Sequence, residues 1–173
     1  MLQSNLIEYL GKKPLLGKNV FVAAGAWLIG DLTIGDESSI WFNAVVRADV
    51  HWIKIGSRTN IQDGTVVHVT NQKAPTTIGN NVTIGHGAII HGCTIEDDCL
   101  IGMGATLLDG AVISKGSFVA AGSLVTPGKK FPPGSMIMGS PAKAIRPLND
   151  EERQAISYSA AHYIDTVNNY RKL

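Results

Sequence analysis

The sequence predicts an all-β solenoid, a parallel β-helix with one C-terminal α-helix, in a single domain over 1–173. Three observations predict it. An aliphatic residue recurs about every six positions between Ile29 and Val125. A small residue usually stands two places before it, and glycine often follows it. After Val125 the beat stops, prolines take over, and an apolar stripe begins at 3.6-residue spacing.

The beat runs through Ile29, Ile34, Ile40, Val46, Ile55, Ile61 and Val67. It continues through Ile78, Ile84, Ile90, Ile95, Ile101, Leu107, Ile113, Val119 and Val125. A six-residue period is wrong for a helix and suits a very short strand followed by a tight corner. An antiparallel sandwich would instead alternate every two residues along longer strands. The aliphatic side chain points inward, and its small partners, such as Ala44, Thr65, Ala88 and Cys93, share the interior near a corner. Three units make one triangular coil. Coils stacked about 4.8 Å apart pair in parallel, and each is held by its neighbours. The coil is expected over 12–130. In this beat the chain resembles the left-handed hexapeptide-repeat β-helices. The hand comes from that resemblance, because right-handed crossovers are the rule elsewhere.

Two steps are longer. Val46 to Ile55 and Val67 to Ile78 read as outward loops holding Asp49-Val50-His51 and Thr70 to Pro75. Loops on a rigid scaffold often frame a site. Pro132, Pro133, Pro141 and Pro147 mark an irregular connection over 131–148. Asn149 or Asp150 can cap a helix over 149–171, with Glu151 and Glu152 in its first turn. Ile156, Ala160, Tyr163, Ile164, Val167 and Tyr170 form its apolar stripe. That stripe buries itself along the outside of the coil or on a neighbouring chain.

Composition removes several function classes. Lys plus Arg is 15 and Asp plus Glu is 14, a formal charge of +1, so the basic excess of a nucleic-acid binder is missing. No apolar run is long enough for a membrane span. The segment Met1 to Gly11 lacks a long apolar core and carries Glu8, unlike a secretory signal. Cys93 and Cys99 are the only cysteines and lack CxxC spacing. A reduced, cytoplasmic chain is the expectation.

Counting faces places three of the five histidines. Val67, Ile78, Ile84 and Ile90 are successive sides of the triangle, so Val67 and Ile90 share a side one coil apart. His68 and His91 follow them and point outward in one column, which Arg47 joins from the coil before. Asp63 and His86, each two residues past Ile61 and Ile84, form a second column with Gln62 beside it. Within one narrow prism the two columns do not readily converge. A cyclic trimer would bring His86 of one chain to His68 and His91 of its neighbour. Three neutral imidazoles with one open position are the ligand set of catalytic zinc. The bland alternative is a stacked pair of surface histidines satisfying each other. Arg47 could likewise pair with Asp49, or with Asp63 across the subunit contact. His51 and His162 read as loop and helix-surface residues, and Asp36, Asp97, Asp98 and Asp109 as solvated corner residues.

Several stretches resemble one family. They are Val46-Arg47-Ala48-Asp49, the run Asn60-Ile61-Gln62-Asp63-Gly64 leading to His68, and Ile84-Gly85-His86-Gly87 through Ile90-His91-Gly92-Cys93. Gly139-Ser140-Pro141-Ala142-Lys143 extends the likeness over nearly the whole chain. The chain resembles the gamma-class carbonic anhydrases. The resemblance implies a homotrimer that binds zinc, or iron or cobalt, through His68 and His91 of one subunit and His86 of the next. It implies reversible hydration of CO2 to bicarbonate by a metal-bound hydroxide. By the same likeness Arg47 and Asp49 are interface ion-pair residues, and Gln62 and Asp63 flank the hydroxide. Tyr163 matches the C-terminal active-site tyrosine, with Tyr158 as its competitor. One departure stands out. The family's acidic loop has glutamates where this chain has Val50 and Asn71, so the usual proton exit is missing and His51 or buffer would have to serve. Two rival functions remain: acyl transfer or thioester hydrolysis on the same fold, with a histidine as base, and a non-catalytic metal-binding assembly subunit.

Overall fold

The computed structural model describes residues 5–172. It is a parallel β-solenoid of about seven coils with one C-terminal helix, α1 (Asp150–Tyr170). Three faces rise along the stack. One carries Val66–His68, Ile89–His91, Thr106–Leu107 and Leu124–Val125, and a second carries Thr76–Ile78, Thr94–Ile95 and Val112–Ile113. The third runs from Phe21–Val22 through Ser39–Ile40, Asn60–Ile61, Thr83–Ile84, Leu100–Ile101 and Phe118–Val119. Registers obey the beat: Val46 lies opposite Val67, Val67 opposite Ile90, and Ile90 opposite Leu107.

The interior is a set of aliphatic ladders. Ile40, Ile61, Ile84, Ile101 and Val119 are fully buried on the third face, and Val46, Val67, Ile90, Leu107 and Val125 on the first. The small residues fill the corners, and their hydroxyls satisfy carbonyls of the next coil. Ser38 Oγ donates to the Gly56 carbonyl at 2.7 Å, and Thr59 Oγ1 to that of Gly79 at 2.8 Å.

Four expectations need correction. The inward residue of the first repeat is Leu28, opposite Val46, and Ile29 is only half-buried. Strand pairing begins earlier than residue 12, with Leu6–Ile7 against Leu28–Ile29. The step from Val46 to Ile55 is no outward loop. Val45–Ile55 is one strand that turns a corner of the prism, pairing with Val66–Val67 at its start and Thr76–Ile78 at its end. Finally, 131–148 is not irregular. Ser135–Gly139 joins the third face in parallel, and Ala142–Pro147 returns antiparallel beside it, around a cis Ser140–Pro141 bond. Ile137 keeps the beat, 18 residues past Val119 and opposite it, and the prolines around it masked that signal; only the returning strand Ala142–Pro147 lies outside the beat.

Asn149 caps α1: its side chain accepts from Glu152 N–H, and the Glu152 carboxylate accepts from Asn149 N–H. The stripe lies on its own chain's third face. Ile156 packs with Met136, Leu148, Leu100 and Phe118, and Tyr163 and Tyr170 set their edges on Trp41 at 5.2 and 5.3 Å.

Candidate metal centre

One residue past the buried anchors Val46, Val67 and Ile90, the first face presents Arg47, His68 and His91. Parallel pairing sets His68 opposite His91. His68 Nδ1 and His91 Nε2 face each other at 3.2 Å. The far nitrogen of each ring rests on a carboxylate. His68 Nε2 lies 3.0 Å from Asp49 Oδ1, and His91 Nδ1 lies 2.6 Å from Asp109 Oδ1. Asp49 also accepts from Arg47 Nη1 at 2.5 Å, and Asp109 from the Thr70 hydroxyl at 2.5 Å. Pairing of Asn60–Ile61 with Thr83–Ile84 aligns the second column. There His86 Nδ1 lies 2.7 Å from Asp63 Oδ2.

These carboxylates are acceptors. Burial pushes the Asp49 carboxyl up, and hydrogen bonds from His68 and Arg47 outweigh it, leaving it below the ordinary value. Asp109 is also lowered: burial raises it, but hydrogen bonds from Thr70 and His91 prevail. A neutral ring that donates from the nitrogen touching its carboxylate keeps a lone pair on the other. At the stacked pair this sets two lone pairs against each other. Only a cation between them, a proton or a metal ion, satisfies both. Two nitrogens about 2.0–2.1 Å from one zinc at a tetrahedral angle stand roughly 3.3 Å apart, close to the observed 3.2 Å. The donor set fits a metal ion.

Among the described residues no three His, Cys, Asp or Glu side chains of this one chain close round a common point. The structure brings His68 and His91 together, and Asp63 with His86, and keeps the two groups apart. Gln62 is buried, and its Nε2 donates to Asn60 Oδ1 at 3.1 Å. Asn60 in turn donates to Thr83 Oγ1, whose hydroxyl reaches Ser159 Oγ on α1. Tyr163 shares a cleft of about 180 Å³ with Trp41, Phe42 and Asp63. Burial and the Asp63 charge push its phenol up. Its competitor Tyr158 is 70% exposed and stacks on His162. Val50, His51 and Asp49 line a separate cleft of about 420 Å³, where His51 Nδ1 accepts from Trp52 N–H.

Asp109 is more than a solvated corner residue: with its side chain 38% exposed, it is also the partner of His91. The signal was available, because Asp109 stands one coil beyond Gly92 in the Ile90–Leu107 register. Asp36 and Asp97 also tie coils together, accepting from the backbone N–H of Lys18 and Asn80 at 2.7 Å each.

Residues 75–108 and 92–127 match the family model for bacterial transferase hexapeptide, six repeats. Over 165 residues the chain is 53% identical to mitochondrial gamma carbonic anhydrase 2 of Arabidopsis thaliana, a match covering 92% of this chain and 59% of that protein. It therefore spans less than two thirds of that relative. The carbonic anhydrase of Geobacillus kaustophilus is 41% identical over 168 residues, 97% of this chain and 92% of its own. A solved Bacillus cereus protein, described as a proposed acetyltransferase, superposes with a TM-score of 0.94 at 42% identity, covering 98% of this chain and 99% of its own. Likeness at these identities extends over nearly all of the sequence, and the chain belongs to the gamma-class carbonic anhydrase family of left-handed hexapeptide-repeat β-helices.

Proposed function

We propose that this protein is a metal-dependent carbonic anhydrase that interconverts CO2 and bicarbonate at a site shared between copies of the chain. One observation carries the reading: His68, His86 and His91 each place one ring nitrogen on a carboxylate and leave the other clear of it. Carboxylate-held imidazoles are the usual ligands of a metal ion. Zinc suits three of them with one position open, and iron or cobalt suits the same donors. A homotrimer would supply the third imidazole, His86 of one copy meeting His68 and His91 of the next. When bound, the ion supplies a hydroxide nucleophile at neutral pH.

The chain's own residues do the rest. Asp49, Asp63 and Asp109 hold the far N–H protons and keep the rings from turning. Gln62, anchored through Asn60 and Thr83, orients the oxygens of CO2 beside Asp63. Tyr163, whose pKa is raised further above neutral, keeps its phenolic proton and donates a hydrogen bond to a bicarbonate oxygen. The Arg47–Asp49 pair orders the contact between copies. With Val50 and Asn71 unable to ionise, proton exit falls to His51 in its cleft or to buffer. The free cysteines suit a cytoplasmic setting, and no helix among the described residues is long and apolar enough to cross a membrane.

The test is subunit complementation. His86→Ala and His91→Ala proteins should each lack metal and CO2 hydration. Mixed, a His91→Ala subunit lends its intact His86 to the intact pair of a His86→Ala subunit. Random mixing then rebuilds about one quarter of the sites. No recovery, in a mixture shown by mass to contain heterotrimers, would overturn the shared site. The acyl-transfer reading, raised by the Bacillus cereus neighbour, would instead be favoured by wild-type protein that binds no metal at all.

A further inference from the structure

We infer that Asp109 and Thr70 are positioning residues for His91, and that they couple the turn at Thr70–Ala74 to the metal centre; the inference rests on the metal reading above. Three independent features converge on the Asp109 carboxylate. One oxygen accepts from His91 Nδ1 and the other from the Thr70 hydroxyl, so the group is held from two sides. Thr70 belongs to a closed turn, its N–H donating to the Ala74 carbonyl at 3.0 Å. Gly92 makes the room. A Cβ there would lie 2.5 Å from Asp109 Oδ1 and 2.9 Å from Ala74 Cβ, and the residue sits at φ +57°.

The consequence for His91 is geometric. A proton donated from Nδ1 leaves the lone pair on Nε2, the atom that faces His68. The grip also fixes the ring about its bond to Cβ. Without Asp109, the proton can move to Nε2 and the ring can swing, and either change removes a ligand atom. Thr70 does not touch the ring. It acts by holding the second oxygen, so a change in the turn reaches the metal through one carboxylate. Asp49 serves His68 in a different way, since its second oxygen is held by Arg47 on the same strand.

The experiment compares wild type, Asp109→Ala, Asp109→Asn and Thr70→Val. Cobalt(II) affinity is measured by chelator competition, and the visible absorption of the bound ion is recorded. Outer carboxylates of this kind typically contribute 10–100-fold in metal affinity. Asp109→Ala should lose that much and shift the cobalt spectrum. Asp109→Asn keeps an acceptor for Nδ1–H and should fall between. Thr70→Val should lose affinity several-fold with a smaller spectral shift. A folded Asp109→Ala protein with wild-type affinity and spectrum would overturn the inference alone. If that variant does not fold, Thr70→Val decides: wild-type affinity there overturns the coupling. Wild-type protein that binds no cobalt would overturn the metal reading and this inference with it.

Discussion

A histidine ring has two nitrogens, and in this protein a carboxylate lies against one of them at three rings. His68, His86 and His91 are paired in this way with Asp49, Asp63 and Asp109. The cysteines show the opposite treatment. Cys93 and Cys99 fill corner positions inside the coil, and desolvation pushes both thiols up to about 12. The raised values disfavour the reactive thiolate while the chain is folded. Ellman's reagent at pH 8 should therefore leave both unmodified in native protein and titrate both in denaturant; rapid native labelling would contradict their burial. The histidine columns were legible because stacking converts sequence spacing into position. Asp109 was overlooked, because an acidic residue at a corner normally faces water, although its register one coil beyond Gly92 placed it beside His91. The glycine opposite, at 92, leaves room for its side chain to lie against His91.

At the scale of elements, α1 is held at its start by one side chain with several duties. Glu152 completes the capping box and takes a two-pronged bond from Arg146 at 2.7 and 2.8 Å. The Arg146 bonds, then the Asn149 N–H, pull its carboxyl from 4.5 to about 2. A lowered carboxylate stabilises the fold fully above the unfolded value and loses that effect as pH falls from about 4.5 to about 2. Glu152→Gln should thus melt below wild type at pH 6, with the gap closing by pH 2. A gap that persists unchanged would show that charge at this site is irrelevant. The capped helix was readable from Asn149 and the 3.6-residue stripe. The corner-turning strand Val45–Ile55 was not, since extra residues between two beats look the same whether they loop out or stay paired.

The whole molecule is a ladder whose rungs come very close. A Cβ on Gly102 would lie 2.4 Å from the Ala121 nitrogen and 2.8 Å from its Cα, both backbone of the next coil. These are backbone atoms, which cannot swing aside as a flexible side chain would. Gly102→Ala should destabilise the protein by about 1–3 kcal/mol, as overpacking does elsewhere, measured by equilibrium denaturation. A change under about 0.5 kcal/mol, the range of ordinary surface substitutions, would mean the coils can spread. The triangular section was legible from the beat alone, while the end of the stack was not. That end carries a wider consequence. Repeated parallel rungs are a template, and an exposed rung of matching direction invites another molecule to add end on and grow a fibre. On the third face the last strand runs backwards, and Ala142–Pro147 lines that rim with Lys143, Arg146 and Pro147. Growth past it would set a reversed, charged and proline-bearing edge against a forward one, so this face offers no template for parallel addition.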